Sequence, residues 1–178
     1  MEYKVDSPQT DAATQEPDQR EKLERAVSGG ASWFYWIAGL SLVNSAIVLF
    51  GGQWNFIVGL GVTQIIDAIA SVVAQELGSS ASLVAKTVAF VGDAMVAGVF
   101  VLFGVFANKR HAWAFIVGMV LYALDGMLFL LVGDWLSVGF HGFALFCIWA
   151  GSSANRKLTA LSPVMQPQEA TRPDPITP

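Results

Sequence analysis

The chain has 178 residues, 54% of them hydrophobic and 13% charged, with a formal net charge of -4 and one cysteine. Such a balance excludes an ordinary water-soluble domain, and the lack of a basic stripe interleaved with aromatics argues against nucleic acid as a partner. A lone Cys147 leaves no intramolecular disulfide and no cysteine-based metal cluster.

Residues 1–30 form a hydrophilic, acidic segment. Within it Arg20 with Glu24 and Glu21 with Arg25 stand at the i,i+4 spacing that supports an exposed helix, so a short surface helix is expected over Asp18 to Val27. The acidic start lacks the basic residues and short apolar core of a secretory signal, and no cleaved segment is expected.

Five apolar stretches follow: Trp33 to Phe50, Trp54 to Ala74, Leu83 to Phe106, Ala112 to Val132 and Trp135 to Gly151. Each approaches the ~20 residues that cross a hydrocarbon core. Every backbone amide must be satisfied inside lipid, and the alternation of barrel strands is missing, so all five are expected to be helices. The predicted class is all-α: a five-helix transmembrane bundle over residues 31–154, followed by a Pro-rich, disordered tail over 155–178.

Trp33, Trp36, Trp54, Trp113, Trp135 and Trp149 fall at the ends of these stretches, as an aromatic belt at the headgroups requires. Short connections predict antiparallel neighbours. The count of basic residues on the two faces is then tied, and the face carrying Lys109, Arg110 and the C-terminal cations is expected to be cytoplasmic, with the acidic N-terminus opposite. Gly52-Gln53-Trp54 and Gly133-Asp134-Trp135 also suggest a faint inverted repeat of hairpins that aligns Asn44 with Asp125.

Polar residues interrupt almost every stretch. Asn44, Gln64, Asp67, Asp93, Asp125 and His141 fall, at 1.5 Å per residue, in one slab roughly 9 to 17 Å from the N-terminal face. A charged group at mid-membrane costs about 3 kcal/mol on insertion scales, so such groups persist where they face each other, water or an ion. Asp67, Asp93, Asp125 and His141 are therefore the candidate ion- or proton-binding residues, and the ligands of a divalent cation if one binds. Asn44, Gln64, Lys86 and Tyr122 are the supporting polar groups, Lys86 lying two turns from Asp93 as a candidate charge partner.

Three readings compete. The leading one is a proton- or cation-handling, transporter-like protein of the cytoplasmic membrane, without an organic cofactor. The second is a non-catalytic membrane scaffold, sensor or complex subunit whose polar groups fix helix packing, with a second copy or another membrane protein as its partner. An intramembrane hydrolase comes third, because no metalloprotease motif, serine elbow or Cys-His pair is present, and the chain is not expected to be an enzyme.

Overall fold

A computed structural model describes residues 8–50, 59–77 and 79–161. They form five helices: α1 (Pro8–Leu49), α2 (Gly61–Leu77), α3 (Ser79–Asn108), α4 (Ala112–Val132) and α5 (Trp135–Leu161). The expected all-α bundle is present, and α1, α3, α4 and α5 are long and apolar enough to cross a membrane, as befits an integral membrane protein. The first seven and last seventeen residues, where disordered tails were expected, lie outside the described residues, as does the turn Gly52-Gln53-Trp54.

Boundaries differ from the sequence reading at three places. The short surface helix is continuous with the first span, so α1 runs 42 residues, with Pro17 inside it. Helix α5 continues to Leu161, because Ala154 and Leu158 join Leu23 and Val27 of α1 in the buried core and prolong both helices beyond the bilayer. Helix α2 has only 17 residues and begins seven positions after the expected Trp54 start.

Helix directions follow from the contacts. Phe34 on α1 meets Phe100 and Phe103 near the end of α3, and Asn108 at the end of α3 reaches the Tyr35 hydroxyl at 3.4 Å. Helices α1 and α3 are thus antiparallel. Gly30 lies against Gly151 and Trp33 against Phe143, so α5 is antiparallel to α1 as well. Helix α2 ends at Leu77, two positions before α3 begins, and Asp67 interacts with Asp93, so α2 and α3 fold back on each other as an antiparallel pair and α2 runs parallel to α1.

The expected strict alternation fails here. Both α1 and α2 run toward the same face, and by Leu60 the chain has returned to the level of Ser41, whose Oγ accepts the Leu60 N–H at 2.8 Å. Helix α2 is a half-helix that starts within the bundle and climbs about 25 Å outward. The inverted repeat finds no counterpart in packing, since α4 and α5 pack along each other while α1 and α2 touch only lightly.

One face consequently gathers the start of the first span, the α3–α4 turn and the end of α5; we call it the terminal face and its opposite the distal face. Trp33, Trp36, Trp113 and Trp149 ring the terminal face, and Trp135 marks the distal one, in keeping with the expected aromatic belt. The tie in basic residues disappears. Arg20, Lys22, Arg25, Lys109, Arg110, Arg156 and Lys157 all lie at the terminal face, against Lys86 near the distal one.

Helix α1 is clasped there. Glu24 pairs with Arg110 at 2.8 Å, and Asn155 of α5 donates to the Arg110 carbonyl at 3.1 Å. These contacts hold Arg110 at a φ of 67°, a left-handed conformation that non-glycine residues adopt at a cost. At the crossing, a Cβ on Gly30 would sit 2.6 Å from the Gly151 Cα, so backbone meets backbone and no larger residue fits. Reporters fused to the N- and C-termini are expected on the same side of the membrane, and one placed at position 78 on the other. Termini found on opposite sides would refute this topology.

Candidate functional site

The buried start of α2 is built from backbone amides and one carboxylate. Asp125 of α4 accepts the Gly61 N–H at Oδ2 (2.7 Å) and the Val62 N–H at Oδ1 (2.9 Å). The first amides of a helix have no partner within it, and in lipid no water replaces one, so an acceptor must come from a neighbour. Anionic oxygens also suit the positive end of the helix dipole. Glycine permits the approach: a Cβ on Gly61 would lie 2.9 Å from the Phe129 ring, and one on Gly59 2.7 Å from Asn44 Nδ2.

His141 of α5 completes this cluster. Its Nδ1 lies 2.8 Å from the Ser137 carbonyl oxygen, which only accepts, so Nδ1 carries a hydrogen. Its Nε2 lies 3.1 Å from Asp125 Oδ2. A bare nitrogen lone pair would repel a carboxylate there, so a proton resides between the two. The pair is neutral overall, whichever partner holds that proton. Tyr122 stacks on the imidazole at 4.3 Å, Phe129 flanks it at 5.0 Å, and a Cβ on Gly126 would come within 3.0 Å of the ring. The ring is held on every side.

A second cluster is less well satisfied. Asp93 on α3 is fully buried, with Ser45 of α1 and Asp67 of α2 close enough to interact with it. Among the described residues, neither Asp93 carboxylate oxygen nor Ser45 Oγ has a hydrogen bond of good geometry. Two carboxylates face each other where the Asp125 pair has an imidazole. Beside them a cavity of about 160 Å³ is lined by Asn44 and Val48 of α1 and by Gln64, Asp67, Ala68 and Ser71 of α2. A larger groove between α2 and α3 is lined by apolar side chains such as Ile69 and Val88 and faces the acyl chains.

The candidate residues therefore form two pairs and not one slab: Asp125 with His141 at the start of α2, and Asp67 with Asp93 five to six residues further along it toward the distal face. Among the described residues no three of His, Cys, Asp or Glu converge as the ligands of one metal ion. No salt bridge joins Lys86 to Asp93 among the described residues; Lys86 sits seven residues along α3, about 10 Å toward the distal face. Asn44 and Gln64 line the cavity, and Tyr122 keeps its hydroxyl buried without a partner. The sequence reading missed Ser41 and Ser45, one turn apart on the face of Asn44, and the capping amides of 60–62. Gly59-Leu60-Gly61, two glycines bracketing an apolar residue, was the available signal of a helix break.

Asp134, in the turn between α4 and α5, caps α5: Ser137 donates its hydroxyl to Oδ2 at 2.6 Å and its N–H to Oδ1 at 3.2 Å. The Ser137 hydroxyl and then its amide hold this carboxyl below its ordinary range. Comparison with protein-family models, curated proteins and solved structures gave no match.

Two outcomes follow from these bonds. Asp125→Asn presents an amide N–H₂ to a backbone N–H and should cost about 1–3 kcal/mol for the amide left unpaired. Hydrogen exchange should rise at Gly61 and Val62 while α4 and α5 stay protected; unchanged exchange there would reject the cap. At Asp134 the unfolded chain takes up its proton first, so the stabilisation is whole above about pH 4 and fades as pH falls through the lower folded value. Unfolding midpoints of wild type and Asp134→Asn should converge on acidification, and a gap independent of pH would rule this out.

Proposed function

We propose that this protein binds and releases a proton, or a small cation in its place, at the Asp67–Asp93 pair, as a transporter-like protein of the cytoplasmic membrane. The observation that carries this reading is Asp93, a fully buried carboxylate with neither oxygen in a hydrogen bond of good geometry among the described residues and a second carboxylate beside it. Two adjacent carboxylates in a low dielectric do not both remain bare anions; a proton or a cation lies between them and can leave only with a replacement. Intramembrane ionisable groups in general mark ion and proton paths.

Asp125 and His141 take a different part. Their shared proton makes them neutral, and their bonds hold α2 in place, so they are assigned to positioning the half-helix that carries Asp67. The function needs no organic cofactor and no catalysis. Of metal ions, a hard cation bound by carboxylate and hydroxyl oxygens fits Asp67, Asp93 and Ser45 best, whereas a soft transition metal lacks nitrogen or sulfur ligands at that pair. The terminal face, rich in Lys and Arg, is assigned to the cytoplasm.

Purified protein in sealed liposomes containing a pH-sensitive or sodium-sensitive dye tests the reading. Wild type should dissipate an imposed gradient, and Asp93→Asn and Asp67→Asn should each slow this about tenfold or more, the effect of losing about 1.4 kcal/mol of binding. Equal rates in wild type and both variants would sink it.

A further inference from the structure

We propose that water reaches the carboxylate pair from the distal face only, through a half-channel between α1 and α2, and that packed aromatic rings shut off the terminal face. The inference rests on the proton- or cation-handling reading for its purpose and adds the side from which the site is loaded.

The polar lining is laid out along the membrane normal. On α2, Gln64, Asp67, Ala68 and Ser71 succeed one another at three- and four-residue steps on one face, climbing from the capped start toward the distal end. Asn44 and Val48 of α1, one turn apart and climbing in the same direction, form the opposite wall. A volume of about 160 Å³ holds about five waters at ~30 Å³ each. Asp67 lines this space and is 8% exposed, while Asp93 behind it is 0% exposed. Asp67 is thus the wet carboxylate and Asp93 the dry one, and an arriving ion meets them in that order.

Toward the terminal face the same path is filled. Phe34 is wholly buried and packs against Phe100, Phe103 and Phe115 with ring centroids 6.0 to 6.4 Å apart. A Cβ on Gly118 would lie 2.5 Å from the Phe34 ring, so the plug is closed against α4 as well. Ile37 and Ile148, both 0% exposed, complete it. This apolar stopper admits no hydrated ion in the conformation described.

Cys147 is the only cysteine, so a Cys147→Ala background allows single cysteines to report on access. Ser71→Cys, which exchanges one oxygen for sulfur, and Gln64→Cys probe the half-channel; Ile37→Cys probes the plug. Sealed vesicles of both orientations are treated with a charged, membrane-impermeant maleimide. Ser71→Cys and Gln64→Cys are expected to react from the distal face alone, Gln64→Cys more slowly, and Ile37→Cys from neither. Reaction of Gln64→Cys from the terminal face, or silence of both half-channel cysteines while Trp135→Cys reacts at the distal end, would overturn the half-channel. Labelling from one side without ion flux would instead retain the half-channel and overturn the transport reading.

Discussion

A helix that begins inside a bilayer exposes its first amides where no water can satisfy them, and the Asp125 carboxylate is what makes that start tolerable here. With both oxygens it accepts from Gly61 and Val62, and Ser41 accepts from Leu60. Each amide left unpaired in lipid would cost several kcal/mol. The topology depends on this cap, because a chain able to begin a helix at mid-depth need not cross twice between α1 and α3. Helix α2 can turn back toward the face that α1 has just reached. The start of the first span and the end of α5 then share a face, and the basic residues of α1, the α3–α4 turn and α5 collect there.

The cap also decides which acidic group is available for chemistry. A carboxylate holding two amides and an imidazole proton has little capacity left, and the ring that balances it is fixed by Ser137, Tyr122, Phe129 and Gly126. Exchange of that proton would disturb the start of α2. Asp93 is less committed, since neither of its oxygens accepts a hydrogen bond among the described residues and its neighbour Asp67 borders the polar cavity. Of the two carboxylate sites, the saturated one is committed to holding α2, and the unsaturated one is the site that the proposed reading uses for binding.

Much of this was legible in the sequence because membrane burial imposes blunt rules. Apolar runs of helical length and tryptophans at their ends gave the helices, and the polar residues within those runs gave the members of the two buried pairs. The pairing was not legible. Depth along a helix follows from residue count, but which helix faces which is set by packing: Gly30 against Gly151 and Gly118 against Phe34 bring α1 between α3, α4 and α5. The direction of α2 was hidden for a related reason. An apolar run from Trp54 to Ala74 reads as one span, and only partners nineteen to sixty-four residues away, Ser41 and Asp125, show that the helix proper starts at Gly61. Lys86 misled by sharing a face with Asp93 while lying two turns nearer the distal surface.

Packing strength is distributed unevenly across the membrane, and this asymmetry agrees with a site loaded from one side. At the terminal face α1 is fastened by the glycine crossing, the Glu24–Arg110 pair and the Asn155 bond, and the aromatic plug lies directly behind these contacts. Toward the distal face α1 and α2 barely touch, and the space between them is the polar cavity. Close-packed interiors resist small displacements, whereas an interface that is already wet yields at little cost. Movement of α2 about its capped start would therefore widen or narrow the distal opening while leaving the plug intact. For an ion to continue to the terminal face, Phe34 would have to leave the contact with Gly118, and the clasp just beyond it opposes the shift of α1 that this requires. On the proposed reading, the cavity between α1 and α2 would serve as the entrance and the packed Phe34 region as the closed end, with the carboxylate pair between them.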